Sequence, residues 1–252
     1  MATAKSERTK ERILRAAERL FAEHGYDGVS MRALASGAGV QLALLSYYFR
    51  GKQGLYRAVF QRRIDPISDQ RRAALRKVME RTQPPPNIEE VLDALARPWV
   101  ELRNQRGGQH YSRLIAREVG DPQESRRGIV KDMLDPIAIE FIDAMEKVLV
   151  GRPRSQIHWA YHFFIGALLL VLVNPTRAQR LSGTLCNTDD AETFTSAIVG
   201  FFSASLRMPE SIRSGGGAKP ASKTASKETT VHEARHIPIA GRPAAQRRVH
   251  RR

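Results

Sequence analysis

The chain has 252 residues, 42% of them hydrophobic, enough for one large domain or two small ones with a packed core. Its formal net charge of +15 favours anionic partners, nucleic acid first and acidic membrane surfaces second. Cys186 is the only cysteine, which excludes an internal disulfide, and the longest apolar run, eleven residues over 163–173, is short of the roughly 18–20 that a membrane span needs. The opening stretch "MATAKSERTKER" has no apolar signal-peptide core, so a cytoplasmic protein with no membrane partner is expected. The charge is uneven. Residues 1–62 hold eleven Lys/Arg against five Asp/Glu, and residues 209–252 hold ten against three, so two basic ends flank a near-neutral body.

Taken in chain order, the pattern predicts helices. Ile13, Leu14, Ala17, Leu20 and Phe21 recur at helical spacing, and Gly25 should end that helix in left-handed backbone. Ser30 is a good N-cap for a short second helix whose inner face is Met31, Leu34, Ala35 and Ala38. "GAG" at 37–39 breaks it, and a third short helix follows over 41–48. "RGK" turns the chain into a longer helix that begins near Gln53, with Leu55, Val59, Phe60 and Ile64 on one side. The prolines at 84–86 punctuate the chain. Further helices are predicted over 88–103, 111–119, 123–150, 155–173 and 190–206, and Pro136 should kink or split the one at 123–150. There is no strand alternation and no internal repeat. Beyond Pro209 small polar residues and lysines leave almost nothing to bury, which predicts a disordered basic tail over 209–252.

Residues 9–52 thus hold three short helices, with a tight "GAGV" turn between the second and third. That is the layout of a helix-turn-helix, whose second helix enters the major groove. Helical spacing divides "LLSYYF" at 44–49. Leu45 and Phe49 share a face and, with Val40, should pack against Leu20, Phe21 and Leu34. Gln41, Leu42, Ala43, Leu44 and Ser46 lie toward the groove, where Gln41 and Ser46 can hydrogen-bond base edges or phosphate. The hydroxyls of Tyr47 and Tyr48 can reach phosphates, although either ring can instead cover the edge of the core. Lys52 stands at a helix start, where free amides already favour an anion, and Ser30 and Arg32 can grip the opposite flank. The plainer alternative for Lys52 and Arg32 is a solvated surface.

The stretches "ILRAAERLFAEHGYDGVSMRALASGAGV" and "YYFRGKQGLYRAVF" resemble the TetR family of bacterial transcription regulators. The resemblance is carried by Phe21, Gly25, Ser30, Ala38 to Val40, Tyr47 to Phe49, and Lys52. "RLSGTLCNTDDAETFTSAIVGFF" is similar to the C-terminal helices of the subgroup of cephalosporin-resistance-type regulators. The resemblance implies an all-α protein. Residues 7–53 would be the DNA-binding domain, with the motif at 29–48, and 54–208 a helical ligand-binding and dimerisation domain. The implied partners are a double-stranded DNA operator, a second copy of the chain and a small-molecule effector. One departure stands out. The family often has Ser-Lys-Gly-Thr where this chain has Gln41, Leu42, Ala43 and Leu44, which leaves fewer base-edge hydrogen bonds and more apolar contacts, such as with thymine methyls.

In the body, "HWAYHFFIGALLLVLV" is apolar around most of its circumference and must be covered on more than one side. A subunit interface would do that, pairing Phe164, Leu168 and Leu172 with Phe194, Ile198, Phe201 and Phe202, since in the resembled family the last two long helices form a dimeric four-helix bundle. Trp99, His110, Tyr111, His158, Trp159 and His162, with Pro98 and Tyr161, are candidates to line the effector pocket, or are ordinary core aromatics. His158 and His162 are four apart, but Trp159 occupies the place of a zinc-protease glutamate, so no metal or other cofactor is expected. No nucleophile elbow or phosphate-cradling loop suggests an enzyme. The alternative to a regulator is a basic protein that coats DNA without sequence preference, its tail adding counterion release.

Overall fold

The computed structural model describes residues 2–208, so the predicted tail at 209–252 lies outside the described residues. Every element among the described residues is helical. A head is built from α1 (Ala2–His24), α2 (Met31–Ala38) and α3 (Leu42–Phe49). The long α4 (Lys52–Met79) leaves the head and enters the body without a break. The body contains α5 (Ile88–Asn104), α6 (Gly108–Val119) and the single turn α7 (Glu124–Arg127). A π turn over Val130–Leu134 runs into α8 (Asp135–Val148), followed by α9 (Arg154–Val173), α10 (Pro175–Leu181) and α11 (Ala191–Arg207). The described residues form one compact unit.

The head folds as its local chemistry directs. Ser30 caps α2, its hydroxyl oxygen accepting from the Ala33 amide at 3.1 Å. Gly25 and Gly39 both take left-handed backbone, with φ of 75° and 62°; α2 therefore runs through Gly37 and stops only at Gly39. Gly54 answers a different need. A Cβ there would sit 1.9 Å from the Phe49 carbonyl oxygen, so only glycine lets the first turn of α4 start hard against the end of α3. Ile13, Ala17 and Phe21 of α1, Leu34 and Ala35 of α2, Leu45 of α3, and Leu55 and Val59 of α4 are buried together. Burying each large aliphatic side chain contributes about 1.5–3 kcal/mol. Val40 and Phe49 are half-buried against this core, on the face that their spacing predicts.

Three elements depart from the sequence pattern. The first helix begins well before Ile13, because its opening turns are polar and carry no apolar period. The helix predicted over 123–150 is in three pieces: α7 ends at Gly128, the π turn follows, and Pro136 lies in the first turn of α8, where proline forfeits no helical hydrogen bond. The short α10 begins at Pro175 and buries none of its residues, so no periodicity announced it.

The body packs α5 centrally, against α4, α6, α8, α9 and α11. Helix α9 is long and apolar enough, by length and composition, to cross a membrane, yet it presses one face against its own subunit. Ile157, Ala160, Phe164, Leu168 and Leu172 face inward, while Trp159, Phe163 and Leu170 are exposed. This corrects the predicted interface set. Phe164, Leu168, Leu172 and Ile198 belong to the subunit's own core. An apolar circumference does not reveal which arc faces inward.

Candidate nucleic-acid interface

Helix α3 presents Gln41, Leu42, Ala43, Ser46 and Tyr47 to solvent while Leu45 is fully buried beneath them. Tyr47 is 79% exposed. The exposed face has no charge along its length. Charge lies around it: Arg32 is exposed on α2, and Arg50 caps α3 with φ of 53°, its amide donating to the Ser46 carbonyl. Leu44 is half-buried, less open than its predicted groove-facing role. Ser30 is exposed but its hydroxyl is already engaged as a cap.

Tyr48 and Lys52 occupy less open places than Tyr47. Tyr48 is half-buried, its Oη lies 3.1 Å from Ser6 Oγ, and Lys10 Nζ stands 5.7 Å from its ring centroid. The first turns of α1 thus reach the end of the recognition helix and add Ser6 and Lys10 to this surface. The cations ahead of Ile13 were the signal for it in the sequence. Lys52 begins α4 as expected, with its ammonium 4.5 Å above the Tyr26 ring.

A buried polar cluster ties head to body. Glu118, at the end of α6 and 1% exposed, accepts from the Tyr56 hydroxyl at 2.9 Å and from Arg127 Nε at 2.9 Å. Arg127 also pairs with Asp121 at 2.7 Å, and its guanidinium lies 5.4 Å from the ring of Tyr26 and 5.9 Å from that of Tyr56. Burial and the adjacent Glu118 push the Tyr56 hydroxyl far above its ordinary value, so it stays a donor. Arg57 pairs with Asp132 of the π turn at 2.9 Å, and Arg117 donates to the Glu23 carbonyl at 3.1 Å. On the other side of the head the buried Glu18 accepts from both Nε and Nη2 of Arg63, at 3.1 and 3.2 Å. None of these pairs was legible beforehand, because Arg127 and Glu118 sit at helix ends where apolar period says little.

Beside this cluster lies a cavity of about 150 Å³, lined by Arg71, Trp99, Ile115, Val130, Tyr161, His162 and other mostly apolar residues. Three of the eight candidates, Trp99, Tyr161 and His162, line it. The other five do not, and Pro98 is buried in α5. Tyr111 is fully buried behind Trp99, stacked on it with centroids 6.0 Å apart. His110 opens onto a different cleft with Arg103 and Asp189. His158 contributes only its carbonyl to His162 Nδ1, at 2.8 Å, and Trp159 stacks on Phe163 out in solvent. Leu168, predicted for the interface, lines the cavity instead.

The outer faces of α9 and α11 also expose apolar side chains. Phe201 is 74% exposed, alongside Trp159, Phe163 and Leu170. Phe194 and Phe202 are half-buried, Phe202 lying edge-on to Phe164 with centroids 5.1 Å apart.

A three-helix head with a capped, glycine-turned pair and an open second helix defines a helix-turn-helix DNA-binding protein. The profile for bacterial regulatory proteins of the tetR family matches residues 13–59, and the tetracyclin repressor-like C-terminal domain matches residues 93–205. The chain belongs to the TetR family of DNA-binding transcription regulators. It is 30% identical over 140 residues to the HTH-type transcriptional dual regulator CecR of Shigella flexneri, covering 54% of this chain and 62% of that one. It is 37% identical over 71 residues to the HTH-type transcriptional activator FasR of Mycolicibacterium smegmatis, covering 28% and 32%. The aligned regions therefore span less than two thirds of these relatives. In fold it is similar to the fatty acid degradation regulator FadR from Bacillus halodurans, with a TM-score of 0.58, 18% identity, and 80% and 97% of the two chains covered. A TetR-family regulator from Bordetella parapertussis gives a TM-score of 0.56 at 16% identity, with 77% and 93% covered.

Proposed function

We propose that the protein is a dimeric, sequence-specific repressor that a small-molecule effector releases from its operator in the cytoplasm. One observation carries it: the uncharged, exposed face of α3 stands on a head that a buried ion cluster ties to the walls of the cavity. In this scheme residues 7–53 bind DNA and 54–208 bind the effector and the second subunit. Gln41 and Ser46 hydrogen-bond base edges, and Leu42, Ala43 and Leu44 meet apolar groups such as thymine methyls. Tyr47, Tyr48, Lys52, Ser30 and Arg32 hold the phosphates and set the register.

The second copy covers Trp159, Phe163, Leu170 and Phe201, so that two heads reach half-sites about 34–36 Å apart. The effector acts through the π turn and the end of α6, whose Val130 and Val119 line the cavity while Glu118 and Asp132 hold Tyr56 and Arg57 of α4. It releases DNA only if it binds the two states of the head unequally. The test is binding to DNA flanking its own gene and to random duplex at two salt concentrations. A preference for the flanking DNA that survives high salt is expected, and equal affinity for both would sink the regulator. Deleting residues 209–252 separates this from a DNA-coating protein, which would lose most of its binding with the tail's ten cations.

A further inference from the structure

We propose that the cavity between α4, α5, α6 and α9 is a carboxylate site. Its ligand is a compact apolar monocarboxylate, about the bulk of a substituted benzene ring, whose anionic group is held by Arg71 and Tyr161. This deepens the effector assignment and rests on it for the consequence at DNA.

Arg71 is the reason. It is 2% exposed, lines the cavity, and buries Nε and Nη2 without a hydrogen-bond partner. A buried cation with open donors is costly unless something accepts from it. Among the described residues no carboxylate pairs with it; Glu140, the nearby acid on α8, is taken by Arg72 at 2.9 Å. Among its neighbours the Tyr161 hydroxyl, in the same cavity lining, interacts with it most strongly. The faces of Phe141 and Trp99 lie 4.9 and 5.7 Å from the guanidinium carbon. Aromatic faces attract the cation but leave its in-plane donors free.

The two open nitrogens make up one edge of the guanidinium. Nε and Nη2 are the parallel fork that matches a carboxylate bidentately. Where a carboxylate is present the chain turns this same edge toward it: Arg127 donates from Nε to Glu118 at 2.9 Å, and its Nη2 stands in ion-pair contact with Glu118 at 2.9 Å and with Asp121 at 2.7 Å. At Arg71 the fork is equally formed and no side chain accepts from it. Tyr161 also lines the cavity, and its O–H can donate to the same anion. Burial pushes the Arg71 guanidinium down to about 10 and the Tyr161 hydroxyl upward, so both are protonated at neutral pH.

The rest of the lining sets the ligand's body and charge. Ile115, Val130, Leu134 and Leu168 offer only hydrocarbon, and an apolar cavity of about 150 Å³ takes up a benzene-sized molecule. Asp135, exposed in the same lining, repels a second negative charge, which selects monocarboxylates over diacids.

The test is calorimetric titration of the intact chain, without DNA, with matched acids and amides: benzoate and benzamide, phenylacetate and phenylacetamide, hexanoate and hexanamide. At least one acid is expected to bind about 10- to 100-fold tighter than its amide. Arg71→Met should bring that acid to the affinity of its amide and leave the amide unchanged. Tyr161→Phe, which keeps the fold if Arg71→Met does not, should reduce the acid's advantage by about threefold to tenfold. The site is overturned if no acid exceeds its amide, or if the preference survives both substitutions. DNA release is read separately. Acids that bind through Arg71 yet leave DNA bound uphold the carboxylate site and end the effector assignment. Release by an uncharged compound whose binding ignores Arg71→Met upholds the effector assignment and ends the carboxylate site.

Discussion

The head and the body place their charge in opposite ways. On α3 the exposed surface is uncharged and cations stand around its edge, at Arg32, Arg50, Lys10 and Lys52. In the body the surface of the cavity is mostly hydrocarbon, and its one arginine, Arg71, is buried. Each arrangement suits its partner. A duplex is a polyanion that exposed cations attract at a distance while neutral side chains touch bases. A small ligand surrenders its hydration on entry, so its charge must meet a prepared donor. The two regions are joined through buried ion pairs, where one arginine, Arg127, has what Arg71 lacks.

Breaking the joint should have the largest effect. Arg127→Met leaves Glu118 buried with only Tyr56 as donor, and a cost of about 3–5 kcal/mol in thermal or urea unfolding is expected. Arg71→Met should behave in the opposite sense, with stability of the unliganded chain unchanged or raised, because no acceptor is orphaned. Leu45→Ala removes the floor beneath the recognition face. It should cost about 2–5 kcal/mol and abolish DNA binding, and a folded head that binds as before would refute the face assignment.

Substitutions on the recognition surface sharpen the contrast further. Gln41→Ala should change base preference at one position of each half-site by about 1–3 kcal/mol, read from competition among operator variants. Lys52→Ala should weaken binding to all sequences alike and lower the salt slope by about one.

The smallest effect belongs to ion pairs at the surface, such as Arg81 with Glu90. The hydrogen bond from Arg81 holds the Glu90 carboxyl below its ordinary value. The resulting stability is therefore present above the ordinary glutamate range and lost as pH falls through the depressed value. Solvent screening keeps this contribution small, and Glu90→Gln should remove that part of the acid dependence of the melting temperature.

How legible each region was follows from the same contrast. The head was written locally: Ser30 as a cap, Gly25 and Gly39 as left-handed stops, Leu45 and Phe49 four apart. These are short-range rules, and the backbone obeys them. What escaped was contact across the chain. Ser6 meets Tyr48 from forty-two residues away, and Tyr56 meets Glu118 from sixty-two. In the body, composition marked the aromatics and histidines but not the arc each occupied. Trp159 was expected in the cavity and lies in solvent, while Phe164 and Leu168 were expected at an interface and are buried in the subunit's own core. Arg71, one arginine among many in a charged helix, gave no sign of its burial before α4, α5, α8 and α9 were seen to close on it.

In the proposed scheme α3 reads sequence through an uncharged face, as one of a pair. The most direct measurement is selection of preferred sites by the intact chain from a pool of random duplexes. The expected result is an enriched two-fold motif, with half-site centres about 34–36 Å apart and base preferences that change with Gln41→Ala but not with Lys52→Ala. A pool that emerges with no enriched sequence, its binding set by salt alone, would contradict it.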